Sequence, residues 1–265
     1  MINPVIETQN CSYKVANKEI LTKVSLAIRE SDYFSIIGPN GAGKTTLLKC
    51  LMRILQRSDG WIKINGKLIE EYHQRDLAKL ISYIPQVNER YNGSLFPFTA
   101  YEFVLMGRYP YLKSLSSFNN RDREMTHNAL SLTGTESLAD RLLDTLSGGE
   151  RQKVFIAAAL AQGAKILLLD EPTTFLDPKH KDDIHQILRQ INRDSQVTIV
   201  SVTHDINSAA FLSKRILALK EGCVVFCGPS EDIMDNKILK KIYEKNFLFV
   251  KHPQDEGLVV VSERI

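Results

Sequence analysis

The sequence predicts an α/β fold with a mainly parallel sheet, an antiparallel β portion near the N-terminus and a helical lobe. Three observations lead to this prediction. From Ser147 onward, helices alternate with short buried strands, which is typical of a parallel sheet covered by helices. Up to Ile64, the chain instead contains short strand-like runs and one helix. Between these regions, residues 87–145 are aromatic-rich and loop-like as far as Phe118 and then become helical.

The individual elements follow from the spacing of apolar residues. The predicted strands are short apolar runs bounded by turn residues, at 5–13, 23–28, 33–37, 61–64, 81–85, 166–169, 198–202 and 258–261. The predicted helices have apolar residues at helical spacing, at 44–55, 121–133, 181–193 and 230–244, with a further helix starting at 147. Asn119 and Asn120 are candidate N-caps of the second of these helices, and Gly134 suits its end.

Composition favours a cytosolic globular protein. The chain has 265 residues, 43% of them apolar and 25% charged, and its net charge of +3 is too small to indicate a nucleic-acid partner. The cysteines show no metal-ligand spacing, so we expect reduced and mostly buried thiols. The cysteines are Cys11, Cys50, Cys223 and Cys227.

Neither a membrane span nor a targeting peptide is predicted. The longest unbroken apolar run, residues 154–161, is far shorter than the roughly 20 residues that cross a bilayer. The first ten residues, MINPVIETQN, lack the basic and apolar parts of a targeting peptide. We therefore expect the chain itself to stay in the cytosol.

A glycine-rich stretch, GPNGAGKTT, follows the strand at 33–37 and opens a helix. Glycines let such a loop wrap with its N–H groups pointing inward, a lysine adds a positive charge, and a threonine hydroxyl can bind Mg²⁺. This strand–loop–helix context favours a phosphate-binding loop of the P-loop NTPase class over a plain glycine-rich turn. The phosphate loop consists of Gly38, Pro39, Asn40, Gly41, Ala42, Gly43, Lys44, Thr45 and Thr46.

Two carboxylates follow a second buried strand. Asp170 and Glu171 come directly after the apolar run at 166–169. Parallel sheets place ligands at the carboxyl ends of their strands, so we expect both carboxylates beside the bound phosphates. Asp170 would hold Mg²⁺, and Glu171 would orient or deprotonate the attacking water. An apolar strand followed by acids is common on its own, but together with the phosphate loop it predicts hydrolysis of ATP or GTP.

The segment LSGGE, residues 146–150, begins a helix in an unusual way. Ser147 and Glu150 form a capping box, yet Gly148 and Gly149 weaken the first turn by roughly 0.5–1 kcal/mol each relative to alanine. Glycine is favourable there if something approaches the backbone closely, and at a helix N-terminus that is usually an anion. A plain capping box is the alternative interpretation.

With LSGGE added to the phosphate loop and the DEP segment at 170–172, the sequence resembles the nucleotide-binding subunit of an ABC (ATP-binding cassette) transporter over nearly its whole length. The resemblance implies an ABC ATPase core at residues 1–86 and 147–265 and a helical subdomain at 87–146. It also implies that Ser147, Gly148, Gly149 and Glu150 contact the γ-phosphate of ATP bound to a second copy of the chain.

The resemblance assigns further roles. Tyr13 matches the aromatic residue that stacks on adenine, although an isolated tyrosine is more often a packing residue. Gln86 matches a glutamine that touches Mg²⁺ and senses the membrane partner. Asp177 matches the loop that crosses the dimer interface, and His204 matches a histidine that contacts the γ-phosphate. Where the family often has Ser-Ala-Leu-Asp, this chain has Thr-Phe-Leu-Asp, with Phe175, a variation familiar among importers of iron chelates and cobalamin.

The helical subdomain is expected to face a multi-span permease. The stretch LFPFTAYEFVLMGRYPYL at 95–112 is rich in aromatic residues, of which some pack in the core and the others suit a groove for a partner helix. The segment MGRYPYL and the tail at 228–232 are similar to the corresponding segments in ATPases of siderophore, haem and cobalamin importers. This likeness predicts a peripheral subunit at the cytoplasmic face of the membrane that works indirectly with a solute-binding protein.

The predicted function is therefore ATP hydrolysis that powers such an importer, with ATP and Mg²⁺ bound between two copies of the chain. Three alternatives remain open at this level. The chain could serve another ABC transporter, act as a non-transport ABC ATPase on DNA or ribosomes, or bind nucleotide without hydrolysing it. The absence of long coiled coils and of a second cassette disfavours the non-transport ATPase. Glu171 and His204 disfavour the pure nucleotide binder.

Overall fold

The computed structural model describes residues 4–86, 97–113, 116–251 and 257–263. The chain forms two compact units. Unit 1 combines Met1–Glu71 with Thr198–Ile265, and unit 2 is Tyr72–Val197. The helical subdomain predicted at 87–146 stays a prediction, and residues 87–96 of it lie outside the described residues. No helix in the described ranges is long and apolar enough to cross a membrane.

Unit 1 is mainly β. Numbered in chain order, its elements are β1 (Pro4–Val15), β2 (Lys18–Arg29), β3 (Tyr33–Ile37), α1 (Lys44–Leu51), β4 (Asp59–Ile64), β5 (Lys67–Leu68), β8 (Thr198–Val202), α7 (Ile206–Leu212), β9 (Arg215–Lys220), β10 (Cys223–Pro229), α8 (Asn236–Tyr243), β11 (Phe247–Lys251) and β12 (Leu258–Ser262). Strands β2-β1-β4-β5 form an antiparallel sheet. In the second sheet, β9, β3 and β8 run parallel, and β10 pairs antiparallel with β9. These sheets confirm the predicted fold class.

The core of unit 1 lies around the parallel strands. Every residue of β3 and of β8 is buried, as expected of strands covered on both faces. Apolar residues of α7, α8 and the β11–β12 hairpin pack against β3 and β9 in one cluster. Burial of these strands fixes where their carboxyl ends lie, and the loops that follow β3 and β8 leave from the same edge of the sheet.

Unit 2 is mainly helical. Its elements are α2 (Gln74–Leu80), β6 (Ile81–Ile84), α3 (Ala100–Met106), α4 (Asn120–Leu132), α5 (Gly148–Ala161), β7 (Ile166–Asp170) and α6 (Pro178–Asp194). Strands β6 and β7 pair in parallel, with Ile84 opposite Leu169. Buried residues of α3, α4 and α5, among them Val104, Leu130 and Val154, form one hydrophobic cluster.

Several predicted boundaries were wrong. Residues 97–118 are not loop throughout, because α3 begins at a complete capping box between Thr99 and Glu102. Helix α1 ends at Leu51 instead of residue 55. The tail helix predicted at 230–244 is divided, since Asp235 adopts extended backbone and caps a new helix, α8, through the amides of Lys237 and Ile238.

The cysteines only partly match the prediction. Cys11 and Cys50 are buried, whereas Cys223 and Cys227 are exposed. The exposed pair belongs to β10, a strand at the end of its sheet that pairs only with β9 in unit 1. An edge strand leaves part of its apolar run in contact with solvent, so strand-like sequence at this position did not imply burial.

A buried ion pair stabilises unit 2. The Arg108 guanidinium lies 3.0 Å from Asp122 Oδ1, donates to the Ala161 carbonyl at 2.7 Å and stacks on the Tyr111 ring at 3.9 Å from its centroid. Asp122 in turn accepts from the Asn119 amide at the start of α4. Both charged side chains are almost completely buried.

We expect Arg108→Met to destabilise the chain strongly. The substitution leaves the Asp122 carboxylate buried without its cation, which costs about 3–5 kcal/mol. Thermal unfolding followed by circular dichroism should show the loss as a lowered melting temperature. Arg123→Met serves as the matched control, because Arg123 is an exposed residue of α4 directly after Asp122. This variant should melt like wild type. Equal melting of the two variants would contradict this account of the ion pair.

Candidate functional site

The loop between β3 and α1 has the backbone that a phosphate loop requires. Gly38, Gly41 and Gly43 all have positive φ, of 142°, 79° and 98°, which L-residues rarely adopt. A side chain on Gly38 would overlap the Leu219 carbonyl, and one on Gly43 would lie 2.8 Å from the Ile20 carbonyl. All three glycines are therefore needed for the turn, and Gly38 and Gly43 also for its close packing on neighbouring strands.

The phosphate loop is supported by the neighbouring β9–β10 turn and strand β2 of unit 1. The Gly222 amide in the β9–β10 turn donates to the Ala42 carbonyl at 3.2 Å, and the Gly222 carbonyl accepts from Thr22 on β2 at 2.9 Å. Leu21 of β2 packs against Gly43 and is paired across the sheet with Tyr13. The partly exposed Tyr13 side chain thus belongs to the strand pair that supports the loop.

The Lys44 side chain extends back to the beginning of the phosphate loop. Its ammonium donates to the Gly38 carbonyl at 2.8 Å and to the Pro39 carbonyl at 3.0 Å. The side chain is only 6% exposed, and a buried ammonium needs hydrogen-bond acceptors around it. Helix α1 begins at this residue with Gly43 as its N-cap, so the positive charge and the positive end of the helix dipole coincide. This arrangement suits a multiply charged anion.

His204 lies at the same sheet edge. Strands β3 and β8 are parallel with Ile36 opposite Val202, and the Thr203 amide donates to the Ile36 carbonyl at 3.1 Å. The exposed His204 side chain follows at once. Asp205 then caps α7 by accepting from the Ser208 amide at 3.0 Å. Within unit 1, the structure therefore places His204 two residues beyond a strand that adjoins the strand leading into the phosphate loop.

Asp170 is a buried carboxylate at the end of β7. It is 3% exposed and accepts a hydrogen bond from the Tyr83 hydroxyl at 3.3 Å. Burial, followed by the charge of Asp170, raises the pKa of Tyr83, so the phenol keeps its proton and acts as a donor. Tyr83 was not identified from the sequence. Its position one residue before the end of β6, beside β7, was the available signal.

Glu171 is held by two donors. Its Oε2 atom accepts from Gln86 Nε2 at 3.2 Å and from Thr174 Oγ1 at 2.9 Å. The backbone of Glu171 is left-handed, with φ of 51°, a conformation that costs a non-glycine residue about 1–3 kcal/mol. Thr174, like Tyr83, was missed by sequence reasoning.

The helix at LSGGE begins as predicted. Ser147 Oγ accepts from the Glu150 amide at 3.3 Å, and Glu150 Oε2 accepts from the Ser147 amide at 2.8 Å, which completes the capping box. The Ser147 N–H is the main cause that lowers the pKa of Glu150. Ser147 and Gly148 are exposed, whereas Gly149 is buried.

The two glycines of this turn have different surroundings. A side chain on Gly148 would meet only Leu176 Cδ2, at an ordinary 3.7 Å. A side chain on Gly149 would overlap the His180 ring of α6. The group that a side chain at residue 149 would meet therefore belongs to the same chain, and contact of Gly149 with a nucleotide stays a prediction.

Asp177 is the N-cap of α6, which starts three residues earlier than predicted. Its Oδ1 atom accepts from the His180 amide at 2.9 Å, and its Oδ2 atom lies 2.7 Å from His180 Nδ1. The amide and then the ring of His180 lower the pKa of Asp177. Leu176, beside Asp177, approaches Gly148, so this loop and the LSGGE turn are neighbours within unit 2.

The family follows from comparison with known proteins. The model of the ABC transporter family matches residues 21–174, which is more than half of the chain. This chain belongs to the ABC transporter family. Two relatives match it over most of their length. The iron(3+)-hydroxamate import ATP-binding protein of Bacillus subtilis (strain 168) is 37% identical over 97% of this chain and 94% of its own. The ferric enterobactin transport ATP-binding protein of Escherichia coli (strain K12) is 35% identical over 88% and 85%.

A solved structure supports the same assignment for this ABC protein. The dimeric structure of a bacterial ABC transporter cassette, MJ0796, superposes with a TM-score of 0.72 at 30% identity and covers 85% of this chain and 98% of its own. The ABC fold is thus matched in both sequence and structure. As an ATP-binding protein of this family, the chain binds ATP and is an ATP hydrolase of the transport-coupled type.

The donor groups of the ABC chain suit magnesium bound with a nucleotide. Across the described ranges, no group of three or more His, Cys, Asp or Glu side chains could hold a metal ion alone. Mg²⁺ is instead held in nucleotide sites by one or two protein oxygens together with phosphates and water. The half-buried Thr45 at the start of α1 and the buried Asp170 at the end of β7 offer such oxygens.

Proposed function

We propose that this chain is the ATP-hydrolysing subunit of a membrane importer of ferric siderophores or related chelates, with haem and cobalamin as the other cargo types of that class. The observation that carries the proposal is the similarity over nearly the full chain to importer subunits for two chemically different ferric chelates. Since identity to the two is almost equal, the similarity favours the class of cargo without favouring either chelate.

ATP would bind with its phosphates over residues 38–46. The loop amides and Lys44 would neutralise the β- and γ-phosphates, while Tyr13 would stack on adenine. Glu171 would orient or deprotonate the attacking water, because its carboxylate is already fixed by Gln86 and Thr174. His204 would donate to the γ-phosphate from the carboxyl end of β8.

Thr45, Gln86 and Asp170 are the residues proposed to hold Mg²⁺, Asp170 through water. When bound, the ion would neutralise charge that develops on the phosphate oxygens during hydrolysis. Tyr83 contributes by donating to Asp170, which helps to orient that carboxylate.

A second copy of the chain would complete each nucleotide site. The exposed Ser147 and Gly148 offer a hydroxyl and helix N-terminal amides to the γ-phosphate of the partner's ATP. Asp177 would lie on the same interface. Closure of the dimer on two ATP molecules would pull on a multi-span permease, which receives cargo from a solute-binding protein. The subunit would therefore sit peripherally at the cytoplasmic face of the membrane.

Transport assays test this proposal. Cells that lack the gene are expected to lose uptake of radiolabelled iron supplied as at least one siderophore, or uptake of haem or cobalamin, while amino-acid uptake stays normal. A plasmid copy of wild type should restore uptake, and a Lys44→Ala copy should not. Unchanged uptake of every one of these chelates in the deletion strain would overturn the proposed cargo class and leave the ABC assignment intact.

A further inference from the structure

The first turns of α5 and α6 interlock through His180. This residue is the third of α6, and its ring fills the space beside the Gly149 backbone in α5. A Cβ atom built on Gly149 would overlap Cδ2 and Cγ of the ring and lie 2.7 Å from Nε2. Contact this close is possible only because residue 149 has no side chain.

The ring cannot easily turn away from Gly149. Its Nδ1 atom is 2.7 Å from Asp177 Oδ2, and its own amide donates to Asp177 Oδ1. Since an ionised carboxylate only accepts hydrogen bonds, Nδ1 is the protonated nitrogen of this pair. A swing of the ring would break the charge-assisted bond to Asp177. The imidazole is therefore fixed between the Asp177 carboxylate and the α5 backbone.

A second contact joins the same two helices farther from their N-termini. The Lys153 ammonium of α5 lies 2.6 Å from Asp183 Oδ2 of α6, one turn beyond the contact between Gly149 and His180. The ion pair and the ring contact are thus two separate points at which α5 and α6 meet. Only the ring contact, however, reaches the N-terminal turn that carries Ser147 and Gly148.

We propose that His180 is a positioning residue that holds Asp177 and the N-terminal turn of α5 as one rigid element. On this view residue 149 is glycine in order to admit the His180 ring. The proposal rests on the proposed function, in which Ser147, Gly148 and Asp177 all act across the interface between two copies. A shift of about 1 Å in such donors is enough to cost a large factor in rate.

A double-mutant cycle tests the packing part of the proposal. Gly149→Ala is expected to lower kcat for ATP hydrolysis about tenfold or more in the wild-type background, and less than about twofold when His180 is already serine, because contacting residues couple strongly. If Gly149→Ala lowers kcat by the same factor in both backgrounds, glycine is required for something other than His180, and the proposal is wrong. If Gly149→Ala alone fails to fold, thermal melting of the double variant with His180→Ser replaces the rate measurement. A folded double variant would support the proposal, and a double variant that also fails to fold would show that it is wrong.

A second measurement separates positioning from general destabilisation. In a Glu171→Gln background, His180→Ser should weaken ATP-driven dimer formation severalfold while the Kd of one copy for a fluorescent ATP analogue stays unchanged. His180→Gln, which can still donate to Asp177, should restore part of the loss. Lys179→Ala, at the exposed neighbouring position, and Asp183→Asn, which breaks only the ion pair, are the matched controls.

The outcomes distinguish the two proposals. If wild type hydrolyses no ATP, the proposed function fails before the cycle is measured. If wild type is active but His180→Ser changes the nucleotide Kd and dimer formation to the same extent, His180 supports the fold as a whole and the positioning role is excluded.

Discussion

Lys44→Ala is expected to abolish measurable ATP hydrolysis, with kcat at least about 100-fold lower than wild type. The reason lies in the geometry of the loop. Lys44 is the buried cation at the start of α1, and its ammonium donates to the Gly38 and Pro39 carbonyls of the loop. Alanine removes the charge that would meet the β- and γ-phosphates, and no other side chain of the loop carries one.

Phosphate release measured with purified protein checks this expectation. Lys49→Ala is the matched control, because it removes a lysine from the last turn of the same helix and should leave the rate close to that of wild type. Circular dichroism should show that both variants are folded. Turnover by Lys44→Ala within a factor of about two of wild type would mean that residues 38–46 do not bind the reacting phosphates.

Much of this site could be predicted from the sequence because its determinants are local. The capping box of Ser147 and Glu150 spans four residues, and the positive φ values of the phosphate loop fall on glycines. The order of β3, the loop and α1 likewise follows from neighbouring residues. Helix α3 was also readable in principle, since Thr99 and Glu102 repeat the spacing of a capping box. The aromatic composition of this segment led instead to the prediction of a loop, although the capping-box pattern was present.

Contacts between distant residues could not be read in this way. His180 meets Gly149 from the next helix, and Tyr83 meets Asp170 from a neighbouring strand. The sequence shows why Gly149 is unusual in a first turn, but a missing side chain does not reveal which group takes its place. A bound anion and a packed imidazole both favour glycine at this position, so the sequence alone does not show that the His180 ring lies there.

Glu171→Gln is expected to trap an ATP-bound dimer. The amide has nearly the shape of the carboxylate, so Thr174 can still donate to its oxygen, but it is a far weaker base and cannot take a proton from water. General-base catalysis contributes about 10²–10⁴-fold to such rates, and hydrolysis should fall by a factor in that range. Since charge-assisted bonds to the γ-phosphate contribute about 1.5–3 kcal/mol each, unhydrolysed ATP should keep the two copies together.

Size-exclusion chromatography with light scattering measures the result. The Glu171→Gln variant should elute as a dimer with ATP and Mg²⁺ and as a monomer with ADP, because ADP lacks the phosphate that Ser147 and Gly148 of the other copy would contact. Glu124→Gln, on the exposed surface of α4, is the matched control and should show no ATP-dependent dimer once its ATP is hydrolysed. A Glu171→Gln protein that binds ATP yet stays monomeric, alone and with its permease, would exclude closure of two copies around the nucleotide.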